Sequence, residues 1–255
     1  MIDIHCHILP GLDDGSPSIE QSLQMARMAV QDGISTIVAT PHHANGKYDN
    51  EAHKIHTSAA SLSAVLKKNN IPLQILSGQE LRVTSELISN LEAGAVLTLN
   101  ESRYLLIEFP SHGIPSYTKE IIHELQVAQI TPVIAHPERN KEMAETPAKL
   151  YELIELGALC QLTSHSITGL FGPTIRKHSL EMCRRNWIHF VASDAHNATN
   201  RPFALKEAYN QIDKEIGSMY SSYYLANAQA LIENKVIPIH SEPIPVKKKW
   251  YQLWS

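Results

Sequence analysis

A unit made of a short apolar strand, a polar loop and an amphipathic helix recurs along most of this chain. The strands are nearly continuous in apolar character and rich in β-branched residues, which is typical of strands buried on both faces. Strands that alternate with helices pair in parallel, and no break divides the chain into halves, so the pattern favours a closed barrel over an open sheet. Seven strands are predicted, over 1–7, 34–40, 73–80, 103–109, 131–136, 158–164 and 188–194.

The first predicted helix has well-marked ends. Ser16 is expected to cap its N-terminus, Pro17 to take the first helical position, and Gly33 to end it. Further helical patterns cover 145–158 and 172–186. These helices supply the connections that a parallel sheet needs.

Composition limits the class of protein. The 255 residues are 43% apolar, which provides a substantial core, and one barrel of this length is common. A net charge of −4 argues against a nucleic-acid binder. Three cysteines without paired spacing and no signal peptide indicate a cytoplasmic protein, and no apolar run is long enough to cross a bilayer. We expect one barrel domain over 1–240 and a basic, aromatic tail over 241–255.

The first strand carries two histidines one residue apart, within MIDIHCHILPGLDDG. Side chains alternate along a strand, so His5 and His7 share one face and Cys6 lies on the other. Two imidazoles on one face form either a polar surface pair or a metal clamp. Asp13 and Asp14 follow in a short loop, where they form a turn or bring one carboxylate to such a clamp.

Histidines and carboxylates stand at almost every predicted strand end, and in a parallel barrel these ends meet at the face where active sites are built. Glutamates buried beside apolar strands are costly unless they are paired or coordinated, so several at one mouth predict a metal cluster. Imidazole and carboxylate suit manganese, iron or zinc, and the absence of cysteine from the set argues against a structural zinc–thiolate site. The residues concerned are His5, His7, His42, Glu80, Glu108, His136, His165, Asp194 and His196.

Longer stretches carry a family resemblance. Together with the N-terminal stretch, LTLNESRYLLIEFP, ITPVIAHPERN and FVASDAHNATNRPF resemble the PHP (polymerase and histidinol phosphatase) metallohydrolases. They are most similar to one branch, the manganese-dependent tyrosine-protein phosphatases of bacterial capsular and exopolysaccharide operons. The resemblance covers roughly residues 1–235 and implies a distorted (β/α)₇ TIM-like barrel in a single domain, with three metal ions. Manganese is the expected ion, although iron or zinc would accept the same ligands.

The resemblance also implies the residues of the site. Arg139 and Arg201 would grip phosphate, with surface ion pairs as their alternative role. Asp14, the second residue of the Asp13–Asp14 pair, is carried over as a ligand. The three ligand sets are His5, His7, Glu80 and Asp194; Glu80, Glu108 and His136, with Glu80 bridging; and Asp14, His42 and His196.

The implied activity is hydrolysis of phosphotyrosine on a bacterial tyrosine kinase that regulates polysaccharide export. A hydroxide held by the metals would attack phosphorus directly, without a phosphoenzyme, and no general acid can be named. Cysteine-dependent tyrosine phosphatases need an arginine six positions after the nucleophile. Here Leu12, Ser166 and His189 stand six positions after the three cysteines, so the sequence excludes that mechanism.

Two other functions stay open at this point. One is another phosphoesterase of the same family, similar to histidinol phosphatase or to a nuclease, and the other is a non-catalytic metal-dependent binding protein. The oligomeric state is also open. The ending IPVKKKWYQLWS combines lysines with aromatic residues, which suggests contact with an anionic membrane surface or with the kinase. A disordered or self-packed tail is the alternative.

Overall fold

The structure is a computed structural model that describes residues 1–238 and 242–246. All strand pairs in this part of the chain are parallel, in one sheet ordered β1-β2-β4 and another ordered β3-β5-β6-β7-β8-β9. The predicted α/β class with parallel strands is therefore confirmed. The strands are β1 Ile2–Cys6, β2 Thr36–Ala39, β3 His42–His43, β4 Gln74–Ser77, β5 Glu80–Arg82, β6 Tyr104–Glu108, β7 Thr131–Ala135, β8 Leu159–Thr163 and β9 Phe190–Ala192.

Helices lie between most of the strands. Among the described residues, no helix combines the length and apolar character that crossing a membrane requires. The helices are α1 Ile19–Gln31, α2 Ala52–Lys68, α3 Leu87–Glu92, α4 Thr118–Val127, α5 Lys141–Glu145, α6 Pro147–Glu155, α7 Ser164–Thr168, α8 Pro173–Arg184, α9 Leu205–Glu215 and α10 Ser218–Ile232.

Backbone hydrogen bonds continue the pairing between the two sheets. On one side the Gly78 amide donates to the Ala39 carbonyl at 2.9 Å, so that β2 and β4 run on into β3 and β5. On the other side, β1 adjoins the segment that follows β9. There the His7 amide donates to Ala195 at 2.9 Å and the Asp194 amide donates to His5 at 2.8 Å. These contacts bring the first and last strands of the chain together.

Neighbouring residues of one strand enter two different apolar clusters, because side chains alternate between the faces of a sheet. Val38 and Leu106 belong to a small cluster, whereas Ile37 and Leu105 belong to the large cluster that also contains helix residues such as Met25. The strands are thus buried on both faces, as their continuous apolar runs predict.

The predicted start of the first helix is wrong by two residues. The helix begins at Ile19, and the Ser18 hydroxyl caps it by accepting from the Gln21 amide at 3.4 Å. Ser16 is buried before the helix, where its hydroxyl donates to the Ser18 carbonyl. Its side chain is therefore committed to the preceding loop. The predicted stop at Gly33 is confirmed by a φ of +89°, which favours glycine.

One strand boundary also differs from the prediction. The strand predicted over 73–80 is interrupted after Ser77, and Glu80 opens β5 instead of ending a continuous strand. A Cβ at Gly78 would lie 2.9 Å from Leu99 and from Val38, so this interruption needs a glycine. The predicted tail lies largely outside the described residues. Its described part includes Ile244, whose carbonyl accepts from the Trp187 indole at 3.0 Å.

We expect Asp3→Ala to destabilise the fold where the first and last strands meet. The buried Asp3 carboxylate accepts hydrogen bonds from the amide and hydroxyl of Ser193, at 2.9 and 2.5 Å. Removing it leaves buried donors without a partner, which should lower the free energy of unfolding by roughly 2–4 kcal/mol. Urea unfolding in the presence of chelator measures this without a contribution from bound metal. Asp49→Ala, which removes a carboxylate that is 79% exposed, should change it by less than about 0.5 kcal/mol; equal losses in the two variants would contradict the argument.

Candidate metal centre

Four ligand atoms lie close together at the floor of the site. Five of the separations among them fall between 3.2 and 3.5 Å. A metal held about 2.0–2.1 Å from four tetrahedral ligands separates those ligands by about 3.3–3.4 Å. These five separations match that spacing, while Asp194 is grouped with His5 and His136 rather than with His7 and Glu80. The atoms are His5 Nε2, His7 Nε2, Glu80 Oε2 and Asp194 Oδ1.

Hydrogen bonds behind the two histidines fix which ring nitrogen faces the centre. His5 Nδ1 donates to Gln161 Oε1 at 2.8 Å, and His7 Nδ1 donates to Asp13 Oδ2 at 2.6 Å. Each bond places the proton on Nδ1 and leaves the Nε2 lone pair for a metal. Asp13 thus supports a ligand, whereas Asp14 faces the site. Sequence reasoning missed Gln161, and its only signal is a polar residue within the apolar strand β8.

A second group surrounds Asp14. Its Oδ1 lies 3.6 Å from His42 Nε2 and 3.6 Å from His196 Nε2. His196 Nδ1 donates to the Asp194 carbonyl at 3.0 Å, so the other ring nitrogen is again free to coordinate. The interaction with the nearby His196 ring holds the pKa of Asp14 far below its usual range, despite partial burial.

Glu80 lies between these groups. Its Oε2 is 2.9 Å from His42 Nδ1, and its Oε1 is 2.8 Å from His136 Nε2. Glu108 lies farther from His136, at 4.0 Å. Glu80 therefore contacts ligands from more than one predicted set, and its bridging role stays a prediction.

All nine predicted ligands come together in the structure. Each belongs to at least one group of three or four side chains whose ligand atoms lie within 4.8 Å of one another. Glu80 and Glu108 are grouped with His42 rather than with His136, which joins His5 and Asp194. The division of the ligands among three ions stays a prediction. The groups are His7, Asp14, His42 and His196; His5, His7 and Glu80; His5, His136 and Asp194; and His42, Glu80 and Glu108.

Buried polar atoms test whether the site fits a metal. Three of the predicted ligand atoms lack both a hydrogen bond and a protein cation beside them, and a buried carboxylate oxygen or imidazole nitrogen without a partner is costly. Divalent cations would satisfy all three, and their oxygen and nitrogen chemistry suits manganese, iron or zinc. The residues therefore fit a metal. The atoms are His42 Nδ1, Glu80 Oε2 and His196 Nε2.

The protonation of the site reflects its crowded charges. Burial opposes ionisation of Glu80, but His42 and His5 hold its pKa well below its usual range. Burial and the neighbouring charge of Glu80 raise the pKa of Glu108 to about 7, although Arg82 opposes the rise. Burial and Arg139 lower the pKa of His136 to about 4, which keeps the ring neutral and able to bind a metal. A cation between the two glutamates would relieve their repulsion.

The two predicted phosphate-binding arginines converge on one oxygen. Arg139 Nη2 lies 2.7 Å from Asp194 Oδ2, and Arg201 Nη2 lies 2.6 Å from the same atom. Asp194 therefore presents Oδ1 to the histidines and Oδ2 to the arginines. Both guanidinium groups line a cavity of 340 Å³ together with most of the predicted ligands. The apolar residues that line this cavity are Phe109, Ala135, Pro137 and Met143.

Comparison with known proteins gives this arrangement its family. Residues 1–233 match the family profile described as capsular polysaccharide synthesis, CpsB/CapC. The chain belongs to the CpsB/CapC family. It is 46% identical over 249 residues to tyrosine-protein phosphatase YwqE of Bacillus subtilis, which spans 98% of each chain. It is 32% identical over 243 residues to tyrosine-protein phosphatase CpsB of Streptococcus pneumoniae, covering 93% of this chain and 100% of that one.

A solved structure agrees with these relatives. It belongs to work on YwqE from Bacillus subtilis and CpsB from Streptococcus pneumoniae, described as unique metal-dependent tyrosine phosphatases. The match has a TM-score of 0.94 at 46% identity and covers 97% of this chain and 100% of the other. The fold of this CpsB/CapC protein therefore follows that of a metal-dependent relative.

Two ligands of this CpsB/CapC protein have a left-handed backbone. His136 directly follows β7 and has a φ of +36°. Asp194 lies two residues after the end of β9 and has a φ of +52°. Such a conformation costs about 1–2 kcal/mol for a residue with a Cβ, so the surrounding contacts must hold it. Gly15 makes a related close approach. A Cβ there would lie 2.1 Å from the His7 carbonyl oxygen, so only glycine lets the Asp13–Asp14 loop fold over His7.

Sequence reasoning also missed Arg82. Its Nη2 lies 2.9 Å from Glu108 Oε2, so one oxygen of this predicted ligand is paired with a protein cation. Arg82 stands two residues after Glu80 on β5, and this spacing was the available signal because such residues share a face. His165, by contrast, belongs to none of the ligand groups found among the described residues.

The cysteines take no part in the site. All three are buried, and burial raises the pKa of the Cys183 thiol to about 12. Burial raises the pKa of Cys6 well above its usual range too. Burial therefore disfavours a thiolate nucleophile at these cysteines. This agrees with the sequence, in which no cysteine is followed by an arginine six positions later.

We expect Asp13→Ala to weaken metal binding although Asp13 does not face the ions. Without its carboxylate the His7 ring loses the bond that sets its tautomer, which should raise the dissociation constant for Mn²⁺ by about 10- to 100-fold. Isothermal titration calorimetry with Mn²⁺ measures this. Asp213→Ala removes an exposed aspartate on α9 and should leave the constant within twofold. Unchanged affinity in Asp13→Ala would show that the His7–Asp13 bond does not support coordination.

Proposed function

We propose that this protein is a metal-dependent protein-tyrosine phosphatase that hydrolyses phosphotyrosine on a protein. The observation that carries the proposal is the clustering of nine imidazole and carboxylate ligands, seven of which line one cavity together with two arginines. Relatives that cover nearly the whole chain at 46% and 32% identity bear the name tyrosine-protein phosphatase. The family profile adds a link to capsular polysaccharide synthesis.

The proposed ions are manganese, held in the three ligand sets stated for the sequence. When bound, divalent ions supply Lewis-acid charge to phosphate oxygens and lower the pKa of a water that attacks phosphorus. Their support comes from the 3.2–3.5 Å separations among the ligand atoms at the floor and from the three unpartnered buried ligand atoms. The oxygen and nitrogen ligand chemistry is compatible with manganese.

The protein's own residues would divide the remaining work. Arg139 and Arg201 would bind non-bridging phosphate oxygens, since a guanidinium matches phosphate through paired hydrogen bonds. Asp194 would orient both arginines through Oδ2. The apolar residues of the cavity, which include Phe109 and Pro137, would receive the phenyl ring and exclude water beside it. A phenolate leaves more readily than an alkoxide, so this site depends less on a general acid.

We further propose that the strands close into one distorted (β/α)₇ barrel. The number seven counts β2 with β3, and β4 with β5, as one strand segment each. The contacts of β1 with the segment after β9, including the Cys6–Ala195 bridge, support closure. The barrel domain would span 1–240, with a separate tail over 241–255. The proposed substrate is the phosphorylated tyrosine kinase that regulates capsule or exopolysaccharide synthesis, met in the cytoplasm.

The first experiment is phosphate release from a phosphotyrosine peptide by the purified protein. We expect turnover that chelator abolishes and that added Mn²⁺ restores, because the ligands alone supply no Lewis acid. Histidinol phosphate runs beside the peptide as the competing substrate. Faster turnover of histidinol phosphate would assign the site to a small-molecule phosphatase instead. Turnover that survives chelation would remove the metal from the mechanism.

We expect Arg139→Gln and Arg201→Gln each to lower kcat/KM for the peptide by about 100-fold. Each loses a charged donor to the phosphate, and the loss of one such donor to developing charge typically costs about 10²–10³ in rate. Steady-state kinetics at saturating Mn²⁺ measures the change. Arg27→Gln, at an exposed position of α1, is the matched control and should stay within twofold. Full activity in either site variant would contradict its role in binding phosphate.

A further inference from the structure

His165 and Phe171 form an aromatic contact between the loops that carry the two site arginines. The Arg139 guanidinium carbon lies 5.5 Å from the centre of the Phe171 ring, within the range of a cation–π contact. The Phe171 ring meets the His165 ring edge to face, with centroids 5.9 Å apart at 75°. Phe171 therefore lies between Arg139 and His165.

His165 extends this contact to the second arginine loop. Its Nε2 lies 2.7 Å from the carbonyl oxygen of Pro202, the residue after Arg201. Since a carbonyl oxygen only accepts, Nε2 must carry the proton and donate. The His165 side chain is nearly fully buried, so this bond is shielded from water. His165 thus links the Phe171 ring to the backbone beside Arg201.

The local backbone sets Phe171 in place. The amides of Gly169 and Leu170 both lie 3.1 Å from the His165 carbonyl, which turns the chain back over His165. Gly169 and Gly172 have φ values of +89° and +94°, so the turn has a glycine on each side of the Leu170–Phe171 pair. Leu170 is 54% exposed, whereas Phe171 is partly buried against its two partners.

We infer that His165 and Phe171 are positioning residues for the arginines that bind phosphate. Both arginines contact Asp194 through a single nitrogen each: Arg139 Nη2 meets Oδ2, and Arg201 Nη2 meets Oδ2 and, at 3.3 Å, the backbone carbonyl oxygen. One anchored nitrogen does not by itself fix the plane of a guanidinium group. The Phe171 ring restricts the plane of Arg139, and the His165–Pro202 bond fixes the backbone beside Arg201. Together they hold both arginines ready for a phosphate group. This inference rests on the proposed role of the arginines in binding phosphate.

The test compares Phe171→Leu with Phe171→Trp in the Mn²⁺-loaded protein. Leucine keeps an apolar side chain but removes the aromatic face, whereas tryptophan keeps the face. We expect Phe171→Leu to raise both KM for the peptide and the inhibition constant of inorganic phosphate by about fivefold to tenfold. Phe171→Trp should stay within twofold. Leu170→Ala, on the exposed neighbour, is the control for the loop and should also stay within twofold.

A double-mutant cycle shows whether Phe171 acts through Arg139. In the Arg139→Gln background, Phe171→Leu should add almost nothing, because the group that it positions is gone. Independent, multiplying effects would overturn the inference, and so would an unchanged phosphate inhibition constant in Phe171→Leu. His165→Ala in the Arg201→Gln background gives the corresponding cycle for the other arginine, with the same expected and contrary results.

Further measurements keep these outcomes interpretable. Manganese content is measured by mass spectrometry and should stay at the wild-type value in each variant, since neither residue is a predicted ligand. A loss of metal would show that the residues are structural and would overturn the inference.

Phe171→Met serves as a second ring-free variant if Phe171→Leu folds poorly. Binding of inorganic phosphate is measured by calorimetry as well. If the wild-type protein does not hydrolyse phosphotyrosine, the proposed function fails, but weaker phosphate binding by the ring-free variants still decides the inference.

Discussion

The arrangement of the whole site depends on the burial of Glu80 among imidazole rings. This carboxylate is 1% exposed, and histidines from three strand units approach its two oxygens. A buried carboxylate of this kind is stable only beside compensating positive charge. The neighbouring histidines supply part of that charge only when they are protonated, which would occupy the nitrogens that a metal needs. Arg82, Arg139 and Arg201 contact Glu108 and Asp194 instead. The environment of Glu80 therefore favours the binding of a cation from outside the protein.

The junction of the first and last strands lies beside this cluster of charged and titratable side chains. His5 and Asp194 belong to segments far apart in sequence, and the buried carboxylate of Asp3 joins them through Ser193. The left-handed backbone of Asp194 follows directly from this junction and turns its side chain toward His5. The same strand ends thus stabilise the sheet and aim the ligands. Packing and coordination are not separable at this position.

Sequence reasoning predicted those features that depend on residue type and period. Apolar runs located the strands, and a polar residue at a strand end, such as Glu108 or His136, marked the site because such groups are costly to bury alone. Sequence reasoning failed where a side chain's partner is set by how distant segments pack together. Ser16 resembles a helix cap, but its hydroxyl is used by the preceding loop. Gln161 and Arg82 contact ligands on other strands, His5 and Glu108 respectively, and the sequence does not show which strands are neighbours.

The two histidines of β1 differ in the group that accepts their Nδ1 hydrogen bond, and this difference affects how strongly each ring can bind a metal. His7 is backed by the anionic Asp13, whereas His5 is backed by the neutral amide of Gln161. A carboxylate partner makes the imidazole a stronger donor to a metal than an amide partner does. Asp194 adds a second asymmetry, because Oδ1 faces the metal ligands while Oδ2 faces Arg139 and Arg201. A change in the position of this carboxylate acts on both groups, so the proposed binding of metal and of phosphate would be coupled through one side chain. Such a coupling would alter the affinity for each ligand by the same factor.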